Sequence, residues 1–280
     1  MHFQIGIGSW ADPEYKKLLV APGVPAKERL KSYAAWFDHV EVNSSYYRVP
    51  TAREVGAWIA QTPAGFTFDL KLHKFLCQNP QVADEPLIKS TLAAAQPLIE
   101  AQRFGCFLLL LAASFAPARR KLEELDALLA KFEPHPVALE LRHKDWVSDG
   151  QRDKTFAYFR ARRLVWVAVD MPQIPGATLM PPTDEVTRDD IAYLRLHGRN
   201  PRYSELKTAE EKHTYAYSDA EISELAKRAT ALAQKAKHVH VIANNHAEDF
   251  APRTALALQR LLRPDRRTPP EQEDLPLNQP

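Results

Sequence analysis

Several charged and polar side chains in this sequence recur at period two, and that spacing carries the first chemical argument. Glu140 and Arg142 lie two apart, as do Tyr193, Arg195 and His197, and Asp69, Lys71 and His73. Glu41 and Asn43 form the same pair in Val40-Glu41-Val42-Asn43. Residues two apart on a strand share a face, so each set projects one way. Glu140 and His197 are the residue types that move protons near neutral pH. Lys71, Arg142 and Arg195 are the types that hold a phosphate or carboxylate. Asn43 and Asn244 could orient a ligand, and Asp170 ends another apolar run as a further acid. Trp10, Tyr46 and Arg48 add aromatic and basic surface on which a ring could stack.

The elements that must position these residues follow from the same periodicity. Apolar residues gather in eight short runs, most of them alternating with polar residues, and stretches with helical period separate most of the runs. The predicted helices cover about 26–37, 52–61, 87–103, 118–132, 153–161, 219–235 and 251–262. Thr51 and Glu54 form a capping box for the second of these. Residues 171–184 are rich in proline and lack a helical period, so the sixth helix is expected to be short or irregular. Eight strands alternating with helices predict an α/β fold, an eight-stranded parallel TIM barrel. The barrel is expected over residues 1–263, as one domain, with a disordered proline-rich tail at 264–280. The Gly6-x-Gly8 pair lacks the third glycine and the helix start of a dinucleotide site.

In a barrel the apolar set faces the helices and the alternate set faces inward. Glu41, Asp69, Lys71, Glu140, Arg142, Asp170 and Arg195 then point inward, with Trp166, Ala168 and Asp170 as the inward set of the sixth strand. Charges there must pair or face a solvated cavity. Glu41 and Asp69, deep or mid-strand, fit an ion-pair lattice as well as they fit a site. The fourth strand is apolar on both faces and gives no assignment.

At this point the chain resembles the YecE-like family, a family of unknown function (domain of unknown function 72) with a TIM-barrel fold. The resemblance rests on Gly8-Ser9-Trp10, on Glu41-Val42-Asn43-Ser44-Ser45-Tyr46-Tyr47-Arg48-Val49-Pro50 and on Lys71. It continues through Ser114-Phe115, Glu140-Leu141-Arg142-His143 with Trp146, Tyr193 to Arg199, and Asn244-Asn245. The chain departs from the pattern at Leu110, Ala112 and Ala113, after the asparagine pair, and at Thr254. The resemblance implies the fold and no particular activity.

Composition narrows the classes. A content of 45% hydrophobic and 26% charged residues suits a globular core, and a net charge of +2 gives no reason to favour nucleic acid. Cys77 and Cys106 show no metal or redox spacing, and no signal peptide is evident, so a cytoplasmic protein is expected. The longest uncharged run, 104–118, is shorter than the ~20 residues of a membrane span, so no membrane association is expected. Glu140, Asp170, His197 and His73 are the groups that could converge on a metal, but no short-range ligand spacing supports one. No metal and no cofactor are therefore expected. The expectation is an enzyme, a hydrolase or an isomerase, acting on a small anionic ligand that is phosphorylated and sugar-like or nucleotide-like. Glu140 and His197 would be catalytic, and Trp10, Asn43, Tyr46, Arg48, Lys71, Arg142, Asp170, Arg195 and Asn244 would bind substrate. The alternatives are a non-catalytic nucleic-acid or nucleotide binding module and a metal-dependent phosphodiesterase. Oligomeric state is left open.

Overall fold

The computed structural model describes residues 2–12, 15–20, 23–245 and 248–266. Eight parallel strands form one sheet: β1 (His2–Ile7), β2 (His39–Val42), β3 (Thr67–Lys71), β4 (Phe104–Leu110), β5 (Val137–Glu140), β6 (Val165–Asp170), β7 (Ile191–Leu196) and β8 (His238–Ala243). Hydrogen bonding runs β1-β8-β7-β6-β5-β4-β3-β2. The two ends of that order meet through one side chain. Tyr33, buried in the helix before β2, donates its hydroxyl to His39 O at 2.7 Å and accepts from Ile7 N at 3.0 Å. A tyrosine hydroxyl thus bridges the seam where β1 and β2 lack a direct ladder.

The helices are α1 (Lys16–Leu19), α2 (Arg29–Trp36), α3 (Ala52–Gln61), α4 (Lys74–Gln78), α5 (Glu85–Glu100), α6 (Asp126–Leu129), α7 (Arg152–Ala161), α8 (Ala209–His213), α9 (Asp219–Ala233) and α10 (Phe250–Leu262). α3 begins at the predicted capping box, with Thr51 and Glu54 each satisfying the other's backbone N–H. The predicted helix over 118–132 is instead broken into two 3₁₀ turns flanking α6. Two short helices, α4 and α8, lie in stretches read as loops. Each has one turn and is held by its cap, His73 for α4 and Thr208 for α8, which leaves too little length for a helical period to show. No helix fills the stretch between β6 and β7, in line with its prolines. Among the described residues no helix is long and apolar enough to cross a membrane. Most of the expected tail, residues 267–280, lies outside the described residues.

Register decides which way each strand faces. Glu41 pairs with Asp69, Gln4 with His240, and Tyr193 with His240, so these share the interior face as expected. β6 corrects the sequence reading. Val167 pairs with Tyr193, and Val169 with Arg195, so the valines face inward. Trp166 lies instead against Phe156 and Phe159 of α7, at ring distances of 5.0 and 5.2 Å. The face bearing Trp166, Ala168 and Asp170 is therefore the helix-facing one. The indole is too large for the interior beside Tyr193 and finds its room, and an acceptor in Thr183 O at 2.9 Å, on the outside.

Candidate active site

Arg195 lies at the centre of the interior, 1% exposed. Its Nε and one terminal nitrogen donate to the two oxygens of Glu41 at 2.8 and 2.6 Å. The other terminal nitrogen donates to Glu140 Oε2 at 2.7 Å. One guanidinium thus joins carboxylates from β2 and β5, three strands apart around the barrel. This is the fork geometry that suits arginine to such a place. Tyr193 adds a hydroxyl to Glu41 at 2.8 Å. Glu140 takes two more partners on Oε1, Arg142 Nε at 2.8 Å and His197 Nε2 at 3.2 Å. Burial pushes the Glu140 carboxyl up, but Arg195, His197 and Arg142 together hold it well below the ordinary range. Burial also depresses His197, to about 4 despite Glu140 beside it, so its imidazole is neutral at pH 7. With Nε2–H donating to Glu140, Nδ1 is left to accept from Asn244 at 3.3 Å. Asn244 Oδ1 in turn accepts from Arg195 and from Asn43, each at 3.3 Å.

A second cluster lies deeper in the barrel. His39 Nε2 and His240 Nδ1 both donate to Asp69 Oδ2 at 2.8 Å. Asp69 Oδ1 accepts from Cys106 N at 2.9 Å. Burial raises the Asp69 carboxyl, but the two imidazoles overcome this and hold it ionised. His39, Asp69 and His240 could each turn one ligand atom to a metal ion. Their present partners already satisfy the carboxylate, and Thr67 Oγ1 lies 2.8 Å from His39 Nδ1. Gly105 leaves the space this cluster occupies, since a Cβ there would lie 2.2 Å from Asp69 Oδ1. His39 escaped the sequence reading because its partner is 30 residues away and its run begins on it.

The C-terminal mouth holds the remaining residues. Lys71 Nζ lies 4.5 Å from the centre of the Tyr46 ring, and among the described residues it has no carboxylate in ion-pair range. Burial, with Arg195 and Arg142 nearby, lowers its amine to about 8. Arg142 uses only its Nε on protein, so its terminal N–H groups have no protein acceptor among the described residues. Gly8 lets Asn43 and Asn244 meet across the seam, since a Cβ would lie 2.2 Å from Asn43 Nδ2. Asn43 Oδ1 is buried without a partner. Gly198, at φ +84°, turns the chain out of β7 into the loop over the mouth. That loop brings Tyr203, whose hydroxyl is raised by burial and feels Arg142 and Glu140. It also brings His213, its ring 4.8 Å from that of His197. Neither was singled out from the sequence, because the loop has no periodicity to place them.

Asn43, Tyr46, Lys71, Glu140, Arg142, Arg195, His197 and Asn244 are brought together. Three expected ligand residues are placed elsewhere. Asp170 is on the helix side, bound by Arg199 and Arg228 at 2.8 Å each and by the Tyr217 hydroxyl at 2.8 Å. Arg48 makes a two-pronged exposed pair with Glu54, at 3.0 and 2.7 Å. It lines a separate groove of about 500 Å³ with His73 and Tyr47. Trp10 packs edge-on against Trp58 of α3 at 5.2 Å. His73 caps α4 through Phe75 N and does not join Glu140.

Comparison with known proteins agrees with this architecture. The chain is 24% identical to the UPF0759 protein YunF of Bacillus subtilis over 254 residues, 87% of this chain and 88% of that one. It is 29% identical to the UPF0759 protein YecE of Escherichia coli (strain K12), over 54% of this chain and 52% of that one. A crystal structure of a DUF72 family protein from Thermotoga maritima superimposes with a TM-score of 0.82 at 27% identity, covering 94% of this chain and 99% of that one. A DUF72 family protein from Enterococcus faecalis gives a TM-score of 0.82 at 25% identity, covering 93% and 95%. The family described as "Protein of unknown function DUF72" matches residues 4–279, and this chain belongs to it.

Proposed function

We propose that the protein is an enzyme that binds a small anionic molecule, phosphorylated and sugar-like or nucleotide-like, at the C-terminal mouth of its barrel. The observation that carries this is a charge imbalance. The linked cluster contains three cations, Lys71, Arg142 and Arg195, and two carboxylates, Glu41 and Glu140. Both carboxylates are taken by the arginines, which leaves Lys71 and the outer N–H groups of Arg142 facing the mouth. A half-buried cation without a counter-charge is costly, and an anionic ligand removes that cost. Asn43, with an unpaired buried oxygen, supplies an acceptor for a ligand hydroxyl.

Within the cluster we assign Glu140 and His197, expected from the sequence to be catalytic, a positioning role. A proton-transfer group works best with a pKa near the working pH. Glu140 is held ionised by the cations around it against its burial, and His197 is kept neutral by burial despite Glu140 beside it. They fix Arg195 and Arg142 rather than titrate. Calorimetric titration with inorganic phosphate tests the reading. Saturable binding at one site is expected, weakened at least about tenfold in Lys71→Met and in Arg142→Met, which corresponds to the ~1.5 kcal/mol of one charged hydrogen bond. Failure of phosphate to bind, or binding by both variants as tight as that of the unsubstituted chain, would overturn it.

A further inference from the structure

The amine of Lys71 is unlike the other cations of the barrel. It sits at the end of β3 on a rigid strand, at the mouth, with the Tyr46 ring 4.5 Å away and no acid in ion-pair range among the described residues. The groups that face it are Arg195 and Glu41, Arg142 and Glu140, the Tyr46 ring, and Cys77 of α4. Burial bears most on the amine and Arg195 next, while Glu41 and Glu140 are already committed to the arginines. We propose, building on the anion-binding reading above, that Lys71 is a catalytic residue that forms an imine with a small carbonyl compound bearing a carboxylate or phosphate. Arg142 would hold the acid group and Lys71 would attack the carbonyl carbon.

The step balances without a further reactant. The neutral amine adds to the C=O carbon to give a carbinolamine. Its hydroxyl then leaves with the amine's remaining proton as water, so the C=O bond is replaced by C=N. Protonation of that nitrogen makes an electron sink, which suits bond cleavage at the adjacent carbon. Two features of the site favour the step. Burial, with the neighbouring arginines, keeps a usable fraction of the amine neutral near pH 7, in accord with its lowering to about 8. The strand also fixes the Lys71 backbone, and Ser45 Oγ donates to its carbonyl at 2.7 Å.

The test is borohydride trapping on the full chain. Purified protein is incubated with pyruvate in one arm and dihydroxyacetone phosphate in the other, reduced, and mapped by peptide mass. A single reduced adduct on Lys71 in either arm is expected, and the arm that gives it distinguishes carboxylate from phosphate. The adduct should be absent in Lys71→Arg, which keeps the charge, with circular dichroism confirming the fold. Competitive amine labelling across pH supplies a measure independent of the probe. Lys71 should label with a midpoint near 8, below its ordinary value of 10.5. No Lys71 adduct in either arm, or a Lys71 midpoint among those of the exposed lysines, overturns the proposal. If inorganic phosphate still binds in that case, the anion-binding reading stands and only the imine is lost.

Discussion

The deep interior of the barrel and its mouth are built from the same residue types and end in opposite states. In the interior each charge is answered. Asp69 receives two imidazoles and a backbone N–H, and Glu41 receives three donors from Arg195 and Tyr193. At the mouth the donors outnumber the acceptors, because Lys71 and the outer half of Arg142 have no acid to meet. A buried network that is fully satisfied rigidifies a core and does little else. A network left one counter-charge short invites a ligand. Charge type inside a barrel therefore does not separate a structural lattice from a candidate site, and it is the unmet donors at the mouth that distinguish the two regions.

The most severe way to break the interior is Glu41→Gln. Arg195 would keep Glu140 as its one carboxylate and remain buried, and breaking such a pair costs about 3–5 kcal/mol. Urea unfolding should show that loss, and a cost below ~1 kcal/mol would mean that water reaches Arg195. At the mouth the effect should fall on ligand rather than on fold. Arg142→Met leaves Glu140 with Arg195 and His197, so stability should drop by less than about 1 kcal/mol while phosphate affinity falls roughly 10–100-fold. A stability loss as large as that of Glu41→Gln would erase the distinction between the two regions.

The third prediction uses pH. Folding lowers the pKa of His197 from 6.5 to about 4, so between those values the unfolded chain binds the extra proton. Stability is therefore full above about 6.5 and falls as the pH drops through this window. His240 contributes in the same direction. Asp69 and Glu140, whose folded values lie below their ordinary 3.8 and 4.5, add a further loss on more acidic descent. His197→Gln should make the slope between pH 6.5 and 4 shallower, and an unchanged slope would remove His197 from the list of buried neutral groups. Smallest of all, Arg48→Ala should change neither the melting temperature nor phosphate binding measurably, since its pair with Glu54 is exposed to solvent. Weakened binding in that variant would extend the site to the groove beside α5.

Much of the barrel could be read from the chain. Val40, Val42, Leu139, Leu141, Leu194 and Leu196 alternate with polar residues, and a strand with polar groups on one face has one solution for which face meets the helices. That alternation also delivered Glu41, Lys71, Glu140, Arg142, Arg195 and His197 to one interior. It failed on β6, where both faces are buried and the one ending in Asp170 reads as the inward face. The register with Tyr193 and Arg195 chose, and Asp170 went outward to Arg228 with it. Arg48 was lost for a different reason: a loop has no period, and a glutamate six residues along took the guanidinium.

The sequence by itself determined which residues alternate, where strands must stop and which side chains carry charge. Those are local properties, fixed by the period of the backbone and by burial. Tertiary structure alone decided who meets whom. Arg195 lies 154 residues from Glu41 and 55 from Glu140, and only closure of the barrel brings both to one guanidinium. The same closure spends the carboxylates on arginine and leaves Lys71 without one. That pairing, rather than the presence of a lysine, is what makes the mouth the candidate site.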